Sequence, residues 1–206
     1  VMFFNKKIKN HRINSLEQKK HQLKKFKLDF LIIIKFNKRF SSQSAEEFIK
    51  KIIFKKTKCK FLYVSKNFKF GFRRQGNIKT LKKFEKTYNF RNIVTKPFKK
   101  NNVTISSTFI RKKIRLGKIV EINRLLNRHW TVIGKVIKGQ RRGRKIGFPT
   151  CNLKLNDYVV PKLGVYAVKV KSRSITHICY TIFVKAITFY FNSVNPTLGD
   201  NVIIKF

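Results

Sequence analysis

The feature that most constrains the fold is a change of hydrophobic period close to Asn127. Before it, helical and strand patterns alternate. "SLEQKKHQLKKF" opens with Ser15 and Gln18 at capping-box spacing, and "LDFLIIIKF" follows as a short β-branched run that predicts a buried strand. In "SAEEFIKKIIFKK", Ser44 and Glu47 form a second box, and Ala45, Phe48, Ile49, Ile52 and Ile53 fall at i, i+3, i+4, i+7 and i+8, the signature of an amphipathic helix. "KFLYV" then predicts a strand, "IKTLKKFEKTYNF" a helix with Ile78, Leu81 and Phe84 inward, and "NIVT" another strand. Such alternation predicts a mostly parallel sheet covered by helices. Beyond "LLNRHW" the pattern becomes strictly two-residue: "WTVIGKVIKG" and "GVYAVKVK" alternate side chains, and Gly or Pro marks the turns. A small β-barrel or sandwich is expected there.

Length permits two small domains with a core each, since the chain has 206 residues. Charge is extreme, with 50 Lys+Arg against 8 Asp+Glu and a formal net charge of +42. Such a chain attracts polyanions, which makes a nucleic-acid-binding or ribosome-associated protein one reading. Lysine dominates, at 37 against 13 arginines, and the excess is spread over helix backs and turns alike. That distribution fits compositional drift better than one patch or stripe built for grip, so no specific nucleic acid is expected as partner. Cys59, Cys151 and Cys179 lack metal-ligand spacing and read as reduced thiols of a cytoplasmic protein. "VMFFNKKIKN" lacks the sustained apolar region of a signal peptide, and "ICYTIFVKAITFYF" is short for a membrane span and carries Lys185, so it should supply core strands.

Two stretches carry chemistry. In "TISSTFIRKKIRLG", Ser106 or Ser107 is placed to cap a helix ending at Gly117, and Arg111 lies three residues beyond Thr108 and four beyond Ser107. Hydroxyls and guanidinium therefore share one side of the helix start, where free N–H groups and the dipole favour a phosphate. An ordinary cap with a surface arginine nearby has the same sequence. In "RRGRKIGFPTCN", Gly143 and Gly147 allow close backbone approach, and Arg141, Arg142, Arg144 and Lys145 supply charge for a polyphosphate. If the chain is extended after Pro149, Thr150 and Asn152 project from one face, about 6 to 7 Å apart, as two neutral oxygens suited to magnesium shared with ATP. A basic hairpin followed by an edge-strand proline is the other account of the same residues. No Walker loop is present.

"GKVIKGQRRGRKIGFPTCNLKL", followed by "PKLGVYAVKV", resembles the riboflavin kinase pattern G-x-V-x-x-G-x-x-x-G-[RK]-x-x-G-[FI]-P-T-A-N and its later P-x-x-G-V-Y. "SAEEFIKKII", "VSKNFKFGFRRQGNIKTL" and "ISSTFIRKKIRLGKIVEINRLLNRHW" resemble the later part of an FMN adenylyltransferase domain. The order is that of the bacterial bifunctional riboflavin kinase/FMN adenylyltransferase (FAD synthase) family, over nearly the whole chain. The resemblance implies an incomplete α/β Rossmann-like nucleotidyltransferase domain over 1–126, then an incomplete all-β riboflavin kinase-type barrel over 127–206. It implies ATP and magnesium as co-substrate and metal, riboflavin, FMN and FAD as substrates and products, no membrane partner, and two transfers: phosphorylation of riboflavin and adenylylation of FMN. By the same resemblance Ser107, Thr108 and Arg111 contact ATP in the adenylyltransferase, while Asn67, Phe68 and Phe70 belong to its flavin segment. Arg142, Gly143, Lys145 and Gly147 fall in the flap over the kinase nucleotide, and Thr150 and Asn152 in its magnesium motif, with Cys151 replacing the usual Ala on the far face.

Departures from the pattern shape the expectation of activity. The histidine-bearing G-x-F-D-G-x-H-x-G-H motif of the family is not found, and His11 and His21 lack its spacing. "NPTLGDNVIIKF" resembles the segment before the kinase's general-base Glu, and no matching Glu follows. The sequence is therefore read as truncated at both ends, with its catalytic groups unassigned and little turnover expected. Open sheet edges and poor folding are the accompanying expectation for a non-catalytic remnant.

Overall fold

The computed structural model describes residues 10–139, 150–155, 157–172, 175–183, 187–190 and 199–206, with backbone placement alone at Thr150 and over 175–183 and 187–190. It divides into two compact units, one formed by residues 1–31 with 105–206 and the other by 32–104.

The second unit is built around one parallel strand pair. Strand β1 (Phe61–Ser65) pairs in parallel with β2 (Arg91–Thr95), Val64 opposite Val94, and α4 (Ile78–Phe84) lies between them in the chain. This is the strand–helix–strand unit that the alternation implied. Leu81 is fully buried, and Ile78 and Phe84 pack around it, as their spacing required. Asn77 caps α4 by accepting from the backbone N–H of Lys79 and Thr80 at 2.8 and 3.2 Å. Upstream, α2 (Lys38–Ser41) and α3 (Ala45–Phe48) precede the pair, and Ser44 and Glu47 cap α3 reciprocally at 3.0 and 3.1 Å. The helix beyond α3 differs from expectation: Ile49–Thr57 is wound as a π-helix. It still buries Ile49 and Ile53, so the apolar stripe survives the wider winding.

Residues 28–36 do not form the buried strand that their β-branched run predicts. No regular structure is assigned there, and Phe30 is 87% exposed and Ile32 61%. Apolar β-branched residues favour a strand only where neighbours supply ladder hydrogen bonds and a face to pack on; here no ladder is assigned among the described residues, and the side chains of 28–36 are exposed, with Phe36 meeting Phe40 edge-on at 5.6 Å. The short hairpin β3 (Lys99–Lys100) and β4 (Val103–Thr104) ends the unit.

In the first unit, six antiparallel strands close into a barrel in the order β10-β5-β6-β9-β8-β7. They are β5 (Thr131–Ile137), β6 (Thr150–Lys154), β7 (Gly164–Ser172), β8 (Ile175–Phe183), β9 (Ile187–Tyr190) and β10 (Asn201–Lys205). Closure runs through β10, which pairs with β5 on one side and β7 on the other, so the open edge expected of an incomplete barrel is absent among the described residues. Val132, Val136, Leu153, Val168, Val170, Val202 and Ile204 fill the interior, one from every second position, as the two-residue period demands.

Helices α5 (Ser107–Arg115) and α6 (Ile119–Leu126) pack Ile110, Ile114, Ile119 and Ile122 onto the same core. Gly117, at φ +71°, lets the chain turn between them, and the N–H of Lys118 returns to the Lys113 carbonyl at 3.1 Å. Residues 10–31 belong to this unit as well. The buried Gln18 of α1 (Leu16–Lys24) donates to the Thr131 carbonyl and accepts from the Tyr158 hydroxyl, both at 2.8 Å. Trp130 stacks on Phe206 at 4.9 Å and donates its indole N–H to the Ile13 carbonyl at 3.0 Å.

Gln18→Ala leaves the Thr131 carbonyl and the Tyr158 hydroxyl without this partner and should lower stability by about 1–3 kcal/mol. Urea unfolding followed by fluorescence of the single tryptophan measures it; no loss would mean that water replaces the glutamine fully.

Candidate functional site: the outer face of barrel strand β6

Strand β6 is held between β5 and β9 by a register that fixes its two faces. Lys135 opposes Lys154, Val136 opposes Leu153 and Ile137 opposes Asn152, while Asn152 faces Thr188 on the other side. Cys151 and Leu153 are buried in the barrel core. Alternation therefore turns Asn152 and Lys154 to the outside, where Asn152 is half-buried and Lys154 exposed. The backbone over Thr150–Lys154 is extended, while the Thr150 side chain, and with it the expected pairing with Asn152, lies outside the described residues. So do Arg142, Gly143, Lys145 and Gly147 of the expected flap.

Cys151 sits as expected away from that face. Its thiol pKa is pushed up to about 11, first by burial and then by the negative charge of Asp200. A folded-state value above the usual thiol value means that ionisation opposes folding: this contribution to stability is intact below pH 9 and is lost as pH rises towards 11.

At the other candidate, Ser106 is the cap: its hydroxyl accepts from the Phe109 N–H at 3.1 Å, which leaves Ser107 and Thr108 exposed on the first turn of α5. Arg111 follows one turn later and is half-buried, and its Nε donates to the His11 carbonyl at 2.8 Å. Burial, then the neighbouring Arg115, lowers its pKa without threatening its charge. His11 is also held below its ordinary pKa, first by desolvation and then by the charges of Arg111 and Arg115. The anchoring of Arg111 by residue 11, a hundred positions upstream, leaves no mark in the sequence pattern.

The third predicted group lies in the second unit. Asn67 is exposed, Phe68 is half-buried, and Phe70 is buried between Phe48 and Phe68, with ring centroids 5.3 and 5.4 Å away. Gly76 is pressed against the Phe70 ring, where an added Cβ would come within 2.7 Å. Phe70 is thus a core residue that holds the loop carrying Asn67. Among the described residues no group of three or more His, Cys, Asp or Glu side chains gathers into a metal site, and no helix is long and apolar enough to cross a membrane.

The described residues thus comprise a closed barrel with a polar outer strand face, and a capped helix presenting hydroxyls and an arginine. The family model described as FAD synthetase matches residues 1–109, and that described as riboflavin kinase matches 126–202. The chain belongs to the FAD synthetase family, with the riboflavin kinase module following in the same chain. It is 41% identical over 169 residues to a bifunctional riboflavin kinase/FMN adenylyltransferase of Buchnera aphidicola subsp. Schizaphis graminum, covering 82% of this chain and 54% of the relative. The corresponding enzyme of Haemophilus influenzae is 37% identical over 163 residues, 79% of this chain and 53% of its own length. That of Escherichia coli K12 is 35% identical over 159 residues, 77% and 51%. This chain thus spans about half the length of the curated relatives it matches. A crystal structure titled as a macrolide-efflux protein from Streptococcus pneumoniae superposes with a TM-score of 0.79 at 26% identity, over 94% of this chain and 66% of the other.

Native-state alkylation should spare Cys151. At pH 8 a thiol of pKa about 11 has roughly a hundredfold less thiolate than one at the ordinary 9.0. Peptide mass mapping after iodoacetamide is expected to find Cys59 modified in the folded protein and Cys151 only after denaturation; equal modification would place Cys151 outside the core.

Proposed function

We propose that this chain works in flavin-cofactor synthesis: residues 127–206 bind ATP with magnesium for phosphorylation of riboflavin to FMN, and residues 1–126 carry nucleotide- and flavin-contacting parts of an FMN adenylyltransferase. The observation that carries the kinase reading is the outward face of β6. Cys151 and Leu153 occupy the core while Asn152 stands on the other side, within the segment matched by the riboflavin kinase model.

The residues fit magnesium. Its preferred donors are hard oxygens, and it commonly keeps several waters while substrate phosphates complete its shell, so a threonine hydroxyl and an asparagine carbonyl are a sufficient protein share. When bound it neutralises negative charge on the transferring phosphoryl group. By the family resemblance, Thr150 and Asn152 would hold the magnesium shared with the triphosphate, and Arg142, Gly143, Lys145 and Gly147 would belong to the flap over the nucleotide. On α5, Ser107 and Thr108 offer hydroxyls to a nucleotide phosphate and Arg111 offers its remaining guanidinium N–H groups, with the Nε–His11 bond fixing its direction. Asn67 and Phe68 provide a polar and an aromatic contact for the flavin, with Phe70 behind them. The net charge of +42 raises the local concentration of the anionic nucleotide but selects nothing by itself.

Replacing Thr150 and Asn152 together by Ala should weaken magnesium–ATP binding by about 10- to 100-fold, the equivalent of one or two metal-linked hydrogen-bonding contacts. Isothermal titration with and without EDTA reads this; an affinity unchanged in the double variant would remove the kinase reading. A steep salt dependence of duplex binding with no nucleotide affinity would favour a polyanion binder instead.

A further inference from the structure

Two glycines follow the line of β5, and they face opposite ways. Gly134 points into the barrel: a Cβ there would come within 2.9 Å of the Leu155 side chain and 3.1 Å of the Leu153 Cβ. Its lack of a side chain is a matter of core packing. Gly139 lies two residues beyond Ile137, the residue that pairs with Asn152, and parity puts it on the outer face. A Cβ there would overlap the Nδ2 of Asn152 and stand 3.0 Å from its Cγ and 3.8 Å from its Cβ. Gly139 does not have the positive φ that would demand glycine for backbone reasons. The space over Gly139 is filled by the Asn152 carboxamide, which leans along the strand and lies across the bare backbone.

The clash is confined to the far end of one side chain. The Asn152 Cβ would remain in ordinary contact distance, so a substitution at 139 leaves the strands in place and rotates the carboxamide. Rotation matters because a metal–triphosphate contact depends on where the amide oxygen points, and metal geometry tolerates little displacement.

From this we infer that Gly139 is a positioning residue for the nucleotide site: its missing side chain sets the direction of the Asn152 carboxamide. The inference rests on the reading of Asn152 as a magnesium–ATP ligand. The test is a double-mutant cycle on the full chain, with magnesium–ATP affinity and thermal midpoint measured for Gly139→Ala, Asn152→Ala and the pair. Gly139→Ala should weaken magnesium–ATP binding by about 10-fold, close to the effect of Asn152→Ala, and by less than about 2-fold when Asn152 is already Ala, because no amide is left to displace. A core glycine would not produce that dependence: its cost would persist in both backgrounds, and such persistence overturns the inference. So does an unchanged affinity in Gly139→Ala when Asn152→Ala alone weakens binding. If Asn152→Ala has no effect, the ligand reading fails and the inference falls with it. Should Gly139→Ala fail to fold, the double variant is expected to recover a cooperative thermal transition; failure of that recovery also overturns the inference.

Discussion

The structure depends on the burial of one side of β6. Cys151 and Leu153 lie in a core with Val132, Val136, Val168, Val202 and Ile204, and that core fixes the register with β5. A slip of one residue would turn the Asn152 amide into this apolar interior and Leu153 out to water. An amide buried without partners costs about 1–3 kcal/mol, and the lost leucine burial adds a comparable amount. Packing that has no chemistry of its own therefore aims the polar residues. Closure of the barrel through β10 extends the same protection to the neighbouring strands, since among the described residues the barrel has no open edge from which a slip could begin.

Much of this was legible in the sequence wherever a signal was local. The capping boxes at Ser15 and Ser44, the helix stop at Gly117 and the inward set Ile78, Leu81 and Phe84 depend on contacts within a few residues, and spacing reveals those. The period of two marked the second half as a barrel or sandwich, and the choice of a barrel came from the resemblance to the riboflavin kinase pattern; the order of the strands was not legible. The failures are long-range. Residues 28–36 have the composition of a buried strand, but composition does not say whether a partner is present. Nothing near Arg111 points to His11, nothing near Gln18 points to Tyr158, and the contact between Gly139 and Asn152 arises only when two strands come together. Phe70, matched to the flavin segment in sequence, is buried between Phe48 and Phe68, a packing that the sequence pattern did not reveal.

The charge is accommodated without being neutralised. Among the described residues four ion pairs are formed, by Glu17, Glu47, Glu121 and Asp157, and all involve side chains open to solvent, where each pair contributes little. Many of the other cations occupy exposed positions, as on α5, where Lys112 and Arg115 are exposed while Ile110 and Ile114 face the core; Arg111 and Arg128 are half-buried. Fold and charge are in this sense separable: the apolar period builds both units, and lysine fills what remains.

The central claim is that the Asn152 carboxamide, on the solvent side of β6, stands next to a divalent cation shared with ATP. Manganese substituted for magnesium makes that proximity visible by nuclear magnetic resonance. In the presence of ATP, the side-chain amide signals of Asn152 should broaden beyond detection, while those of Gln18, at the far end of the Thr131 contact, should persist. Asn152 signals that survive manganese and ATP unchanged would contradict the account.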